Sequence, residues 1–259
     1  MQNVKIGIQT RSLRQPLRQA LRTAARLGAD GVEIDVRNEL PLGELSATGL
    51  REFHKLLGDL NLRVSAVAFP TRRGYDADED LDRRVAVTQN AMRFARELRT
   101  DVVINRVGQV PDDSSDPRFG RMVEALTALG NYGERAGARL AAQSAGESPL
   151  NLARLLAALP EQSMGIDLHP SGLIMGGYSP MEALDVLGGY VLHVHACDAV
   201  HDAGKRSHEV QLGRGSADLP ELLGRLTEFD YRGWVTIERR ESSDPITDIE
   251  NAVAFLRAI

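Results

Sequence analysis

The stretch MGIDLHPSGLIMGGYSPMEALDVLGGYVLHVHACD, residues 164–198, decides the fold. It opens on a short run, Met164 to Leu168, and closes on another, Val191 to Ala196, with enough chain between them for a helix and two loops. Residues two apart in a strand share a face. Ile166 and Leu168 therefore turn one way and Asp167 the other, while Leu192 and Val194 are expected to face helices and His193 and His195 to point inward. This is the pattern of two parallel strands joined by a crossover, with their polar residues carried on one side.

Working outward from this unit, six more short runs follow the same logic: Val4 to Gln9, Gly31 to Asp35, Arg63 to Phe69, Asp101 to Arg106, Arg139 to Gln143 and Gly233 to Glu238. The eight starts fall roughly 25 to 42 residues apart, room for a strand, a helix and two loops each time. Eight βα units predict an α/β fold, a (β/α)₈ barrel in a single domain over residues 1–259, and the length is close to the roughly 250 residues usual for that architecture. A doubly wound open sheet is disfavoured, since no Gly-rich dinucleotide fingerprint follows the first strand. The clearest helix lies between the third and fourth strands, where Leu81, Val85, Thr88, Met92 and Ala95 recur on one side. Ser148-Pro149 reads as a helix start, Gly28 as a helix end, Pro16 as an initiator or kink of the first helix, and Asp112 to Pro117 as a loop.

Composition limits the function classes. Hydrophobic residues make up 42% and charged residues 26%, the balance of a folded domain, and net charge is -5. No Lys/Arg run forms a stripe for a nucleic-acid backbone, so no nucleic-acid partner is expected, whereas phosphate-bearing small molecules stay open. No segment nears the ~20 apolar residues of a membrane span, and residues 1–10 lack the pattern of an export signal. The single cysteine, Cys197, allows no internal disulfide and fits a reducing compartment, so the expected location is cytoplasmic. A homo-oligomer is compatible with the sequence and not required by it.

Sorting the strand ends by face brings four polar residues together. Trp234, Thr236 and Glu238 point inward on the last strand, and the fifth, sixth and seventh strands add Gln143, Asp167 and His195 at the end where barrel enzymes work. Two carboxylates beside an imidazole are costly to desolvate without a cation, so a divalent metal is the simplest compensating charge. Oxygen-rich donors with one imidazole suit Mn²⁺ or Mg²⁺, with Co²⁺ or Zn²⁺ as lesser candidates. Glu33, Asn105, His169 and Arg214 are candidate substrate contacts. His193 reads as a satisfied core histidine, Cys197 as packing without a base partner, Arg72 and Arg73 as solvated, and Glu147 as a first-turn acid near a helix start.

The chain resembles the xylose isomerase-like barrel superfamily, which includes sugar-phosphate isomerases, ketohexose 3-epimerases, inosose dehydratases and a branch of apurinic endonucleases. The resemblance covers nearly the whole chain and is carried by LGADGVEID, GIDLHPSGLIMGG, VLHVHACD, LGRGSADLPELL and YRGWVTIE in that order. It implies metal ligands at Asp167, at His195 of an H-x-x-D pattern ending in Asp198, and at Glu238, with a fifth-strand Glu as the fourth. Here that fourth position is Gln143. An amide coordinates through oxygen but accepts no proton near pH 7, so two-base epimerisation through these positions is disfavoured. What the resemblance implies is a metal-dependent sugar or sugar-phosphate isomerase or epimerase of carbohydrate metabolism, with a dehydratase also within reach. Its substrate would be a small sugar-like molecule, and Glu238 would be the catalytic group that moves a proton beside a carbonyl. A catalytically degenerate sugar-binding or partner-subunit relative remains the main alternative. An apurinic endonuclease is less favoured, because the early strand ends offer Glu33, Asp35 and Phe69 but no histidine.

Overall fold

Short β-branched runs with one face against helices and one against each other can satisfy every backbone group by closing on themselves. The computed structural model, which describes residues 4–201 and 207–259, shows that closure. Strands β1 (Lys5–Gln9), β2 (Gly31–Asp35), β3 (Arg63–Ala68), β4 (Val102–Asn105), β5 (Arg139–Gln143), β6 (Met164–Leu168) and β7 (Val191–Ala196) each begin within a residue of the sequence expectation. A short antiparallel hairpin, β8 (Asp198–His201) and β9 (Ser207–Val210), intervenes before the last barrel strand, β10 (Trp234–Ile237). The eight barrel strands close in the order β1-β10-β7-β6-β5-β4-β3-β2, all parallel.

Helices α1 (Leu17–Arg26), α2 (Ala47–Asp59), α3 (Leu81–Glu97), α4 (Pro117–Ala136) and α5 (Pro149–Ala157) follow the first five strands in turn. Two short helices, α6 (Pro170–Met175) and α7 (Pro180–Leu187), join β6 to β7, and α8 (Leu219–Glu228) and α9 (Pro245–Ala258) flank β10. The start signals are used as read. Ser148 caps α5 by accepting from the Asn151 amide, Pro149 is its first residue, and Pro16 immediately precedes α1 rather than kinking it. Gly28, two residues past α1, takes a positive φ of 87° that only glycine adopts without strain. No helix among the described residues is long and apolar enough to cross a membrane.

The main core is the layer between barrel and helices, where Ile6, Ile8, Ile34, Val67, Val103, Leu140, Ile166, Leu168, Val194, Val235 and Ile237 are all buried. A smaller cluster of Ala66, Val102, Ile104 and Ala141 lies apart from it, on the alternating lumen face. Leu192 belongs with this second cluster and not, as the simple alternation predicts, with Val194. The reason is a register shift: Ile166 pairs with Val191 but Asp167 pairs with His193, leaving Leu192 as the extra residue. Gly165 makes room for it, because a side chain there would run into Leu192.

Asp198, immediately after β7, fixes the loop beyond the hairpin. Its buried carboxylate accepts from the backbone amides of Ala199 (2.9 Å), Gly213 (3.1 Å), Gly215 (2.8 Å) and Ala217 (3.0 Å). Replacing it with alanine strands several N–H donors at once, and each charge-assisted hydrogen bond contributes roughly 1.5–3 kcal/mol. Asp198→Ala should therefore lower unfolding free energy by about 2–3 kcal/mol in urea denaturation, whereas a change under 0.5 kcal/mol would show that the loop holds itself.

Candidate functional site

The C-terminal ends of the strands surround a cavity of about 500 Å³, a size suited to a small polar ligand. Alternation along β2 and β5 brings Glu33 and Gln143 to its wall, and Glu238 stands one residue past β10. Loops after β1, β4 and β10 add Arg11, Arg14, Arg106 and Arg240.

Beneath the cavity lies a closed polar layer. Asp167 on β6 is fully buried and receives His193 Nδ1 at 2.8 Å and His195 Nδ1 at 2.8 Å. His193 Nε2 lies 2.8 Å from the Thr236 hydroxyl, so both ring nitrogens are satisfied and the reading of a core histidine holds. Burial alone would raise the Asp167 pKa, but the charge of His195 and the hydrogen bonds from both rings outweigh it and hold the carboxyl far below the usual range.

Gln143 takes part in this layer. Its amide nitrogen lies 3.3 Å from Asp167 Oδ2 and its oxygen 3.4 Å from Arg106 Nε. A glutamate here would oppose a second carboxylate at that distance, whereas the amide donates to it. Gln143 is therefore matched to Asp167 as its neighbour.

His195 links the layer to the mouth. With Nδ1–H committed to Asp167, its Nε2 faces Glu33 Oε2 at 2.8 Å and Glu238 Oε2 at 3.8 Å. Despite that closeness, His195 Nε2 and Glu33 Oε2 lack hydrogen-bond alignment and are buried without a partner among the described residues. A ring lone pair aimed at carboxylates calls for a proton or a cation between them. Burial opposes charge on this ring, but Asp167, Glu33 and Glu238 outweigh it and move its pKa well up.

Glu238 is gripped from two sides. His169, at the start of α6, lies 2.7 Å from Oε2, and the Arg240 guanidinium bonds Oε1. The Gly172 amide donates to His169 Nδ1 at 3.0 Å, which puts the ring proton on Nε2, toward Glu238. Burial pushes Glu238 up, but His169, His195 and Arg240 outweigh it and hold the carboxyl well below its ordinary value. Cys197 Sγ lies 3.7 Å from His169 Nδ1, so the thiol does have an imidazole neighbour that the sequence did not reveal.

The four residues read as a ligand set thus meet in a chain from Gln143 through Asp167 and His195 to Glu238. Donor atoms within 4.8 Å of one another group differently: Glu33 with His193 and His195, and His169 with Cys197 and Glu238. The three carboxylates of the site face three imidazoles and Arg240, so the protein itself supplies much of the counter-charge assigned from sequence to a metal. The orphaned His195 and Glu33 atoms still fit a divalent cation, with Asp167 orienting the ring from behind as carboxylates do behind metal-binding histidines.

The other candidates divide. Glu33 and Asn105 line the cavity. Asn105 sits beside Ile104, the lumen residue of β4, and its amide donates to the Tyr75 hydroxyl at 3.2 Å while its oxygen accepts from the Thr71 amide at 3.2 Å. Arg214 is exposed in the loop tied down by Asp198 and is not among the residues lining the cavity. Glu147 accepts from the Val110 amide at 3.1 Å and does not reach Gln143's partners. Arg240, two residues beyond Glu238, went unread because the strand pattern stops at Glu238, although the same spacing of two would have placed it beside the carboxylate.

Residues 21–259 match the family described as xylose isomerase-like TIM barrel. A relative from Methanocaldococcus jannaschii, protein MJ1311, is 23% identical over 68% of this chain and 63% of its own length. Fructoselysine 3-epimerase of Escherichia coli O157:H7 is 24% identical over 87% of this chain and 86% of its own. A xylose isomerase domain protein from Planctomyces limnophilus superposes with a TM-score of 0.85 at 23% identity, covering 99% of this chain and 97% of that one. A xylose isomerase-like barrel from Mycobacterium smegmatis, solved in complex with magnesium, superposes at 0.77 with 17% identity, covering 93% and 87%.

Proposed function

The chain belongs to the xylose isomerase-like TIM barrel family, and from that premise we propose that it is an isomerase or epimerase acting on a small sugar or sugar phosphate by proton transfer beside a carbonyl. The observation that carries this reading is Glu238: an ionised, buried carboxylate at the wall of a polar cavity, held in place by His169 and Arg240. A base positioned in this way removes a proton from the hydroxyl-bearing carbon next to a substrate carbonyl while the carbonyl oxygen takes up a proton, giving an enediol; it then returns the proton to the former carbonyl carbon as the neighbouring hydroxyl releases its own, giving the aldose or ketose partner. His169 Nε2–H and Arg240 keep the carboxylate aimed and ionised between turnovers. Gln143 offers no second base, so transfer on one face of the substrate is favoured over two-base epimerisation. Glu33 and Asn105, which line the same cavity, are the proposed contacts for substrate hydroxyls.

His195 Nε2, Glu33 and Glu238 are the groups that would hold a divalent metal, Mn²⁺ or Mg²⁺ before Co²⁺ or Zn²⁺, with Asp167 orienting the ring from its Nδ1 side and Gln143 bonded to Asp167. When bound, such an ion supplies Lewis-acid polarisation of the substrate carbonyl and hydroxyl oxygens. The fructoselysine 3-epimerase likeness and the magnesium-bound barrel support this class of chemistry without fixing substrate or metal.

The test is deuterium exchange. Purified protein with Mn²⁺ or Mg²⁺ is incubated in D₂O with a panel of ketoses and ketose phosphates, and NMR should show deuterium entering beside the carbonyl of at least one. Binding of sugars with no exchange across the panel would favour the second reading, a non-catalytic relative, for which Gln143 is the specific observation.

Gln143 also yields a prediction of its own. Gln143→Glu places a carboxylate at the 3.3 Å contact with Asp167. In EDTA it should destabilise the fold by about 1–3 kcal/mol, the cost of a buried unsatisfied charge, and Mn²⁺ should restore the loss and bind at least tenfold tighter than to wild type. Calorimetry and thermal melts read both. If the variant is equally stable with and without metal, the two carboxylates do not share an ion.

A further inference from the structure

The mouth carries more guanidinium than its carboxylates use. Arg11 pairs with Asp35 at 2.6 Å, Arg239 with Glu209 at 2.7 Å and Asp248 at 2.9 Å, and Arg240 with Glu238. Arg106 differs. It stands exposed on the cavity wall one residue past β4, and among the described residues it makes no ion pair. Its one side-chain hydrogen bond is the long contact from Nε to Gln143 Oε1, 3.4 Å. Neither amino group of the guanidinium has a hydrogen-bond partner among the described residues.

Two features hold Arg106 there without a carboxylate in contact. The Asn105 side-chain oxygen accepts its backbone N–H at 2.8 Å and fixes the chain at that point. Gln143 turns a neutral oxygen toward it because its amide nitrogen is committed to Asp167. A carboxylate at position 143 would neutralise this arginine, and the amide does not.

The barrel order separates β4 from β10 by four places in a ring of eight, so Arg106 and Glu238 stand on opposite sides of the mouth. A ligand reaching both lies across the cavity with one end at each. Guanidinium presents parallel N–H donors that match the oxygens of a carboxylate or phosphate.

We propose that Arg106 binds an anionic group, carboxylate or phosphate, at the end of the substrate remote from the carbon that meets Glu238, so that the site takes acidic sugars in preference to neutral ones. This rests on the isomerase reading for which end reacts, and on the cavity alone for the anion site.

Isothermal titration with D-fructose, D-fructose 6-phosphate and D-fructuronate tests it, run in EDTA so that no metal reads the anion. At least one acidic probe should bind about 10- to 100-fold tighter than fructose, the range for one charge-assisted contact. The tighter acid identifies the source of the charge. Arg106→Met should bring acid and fructose within about twofold of each other, and Arg106→Lys should keep part of the preference. Equal affinity for all three probes, failure of all three to bind, or a preference that survives in a folded Arg106→Met protein would each overturn the assignment. Arg106-dependent acid binding without deuterium exchange would instead retain the anion site and remove the isomerase reading, and exchange of neutral sugars without acid preference would do the reverse.

Discussion

Glu238→Gln should abolish most deuterium exchange into substrate, with kcat reduced about 10²- to 10⁴-fold, the range for loss of a positioned general base. The change preserves shape, and the amide oxygen can still accept from Arg240 or His169. What it removes is a buried carboxylate on the cavity wall that His169 and Arg240 hold ionised. Glu33, the nearest other carboxylate on the cavity wall, is turned toward His195 rather than toward His169 and Arg240. Gln143 has no accepting state, and Asp167 lies beneath the cavity with both oxygens already bonded to His193 and His195. Binding of the substrate should change by no more than a few fold, because the amide keeps the hydrogen-bonding outline of the wall. Kinetics should therefore show kcat falling with KM nearly constant, the sign of an interaction used in the transition state. Exchange at the wild-type rate in a folded Glu238→Gln protein would transfer the base role to another group, with His169 the nearest titratable neighbour. A fall in KM affinity equal to the fall in kcat/KM would mean that Glu238 binds rather than reacts.

The barrel was legible because its signal is redundant. Eight strands each repeat the same two-residue alternation, and β2, β5 and β6 match their expected bounds at both ends. A wrong reading of any one would have been corrected by the spacing of the rest. The hairpin β8–β9 had no such support: each strand is four residues long, and its one contribution to a hydrophobic cluster is the small Ala199, packed with Ile174, Ala217 and Leu219, too little to announce a strand. The site was legible in its elements and less so in its pairings. Inward position told which residues reach the lumen, hence Gln143, Asp167, His195 and Glu238, but alternation is silent on height along the barrel axis. Asp167 pairs with His193 through a register shift that no local pattern encodes, and that shift also turned Leu192 inward. His169 and Arg240 lie beyond their strands, where backbone direction is set by the following helix and loop, so their meeting on Glu238 depended on tertiary structure. Two carboxylates were legible from the strand ends, whereas Glu33 as a third member of the layer was not, and neither were the partners of Glu238, because His169 and Arg240 are supplied from outside the strands.

That balance of charge gives the largest expected effect on stability, at Asp167. The carboxylate is fully buried and is the shared acceptor for His193 Nδ1, His195 Nδ1 and the Gln143 amide. Removing one partner from a buried, hydrogen-bonded charge pair costs roughly 3–5 kcal/mol, because the groups left behind are neither solvated nor paired. Asp167→Ala should fall in that range and lower the melting temperature by roughly 6–20 °C for a chain of this size. Asp167→Asn is the sharper probe. An asparagine oxygen can accept from one imidazole, but its NH₂ then confronts the other ring's N–H, so one histidine must give up its proton or its place. His193 has a second anchor in Thr236, while the Nε2 of His195 has no aligned partner among the described residues, so His195 is the ring that should move or change tautomer. The expected result is a melting temperature several degrees below wild type, an altered His195 ring signal in NMR beside an unaltered His193 signal, and divalent-metal affinity reduced about 10- to 100-fold through loss of the orienting carboxylate. Thermal melts, ring-nitrogen spectra and metal titration read these separately. A melting temperature within 1–2 °C of wild type would mean that the two histidines do not depend on Asp167. Full metal affinity in a protein whose His195 signal has moved would mean that the ring is not a donor to the ion.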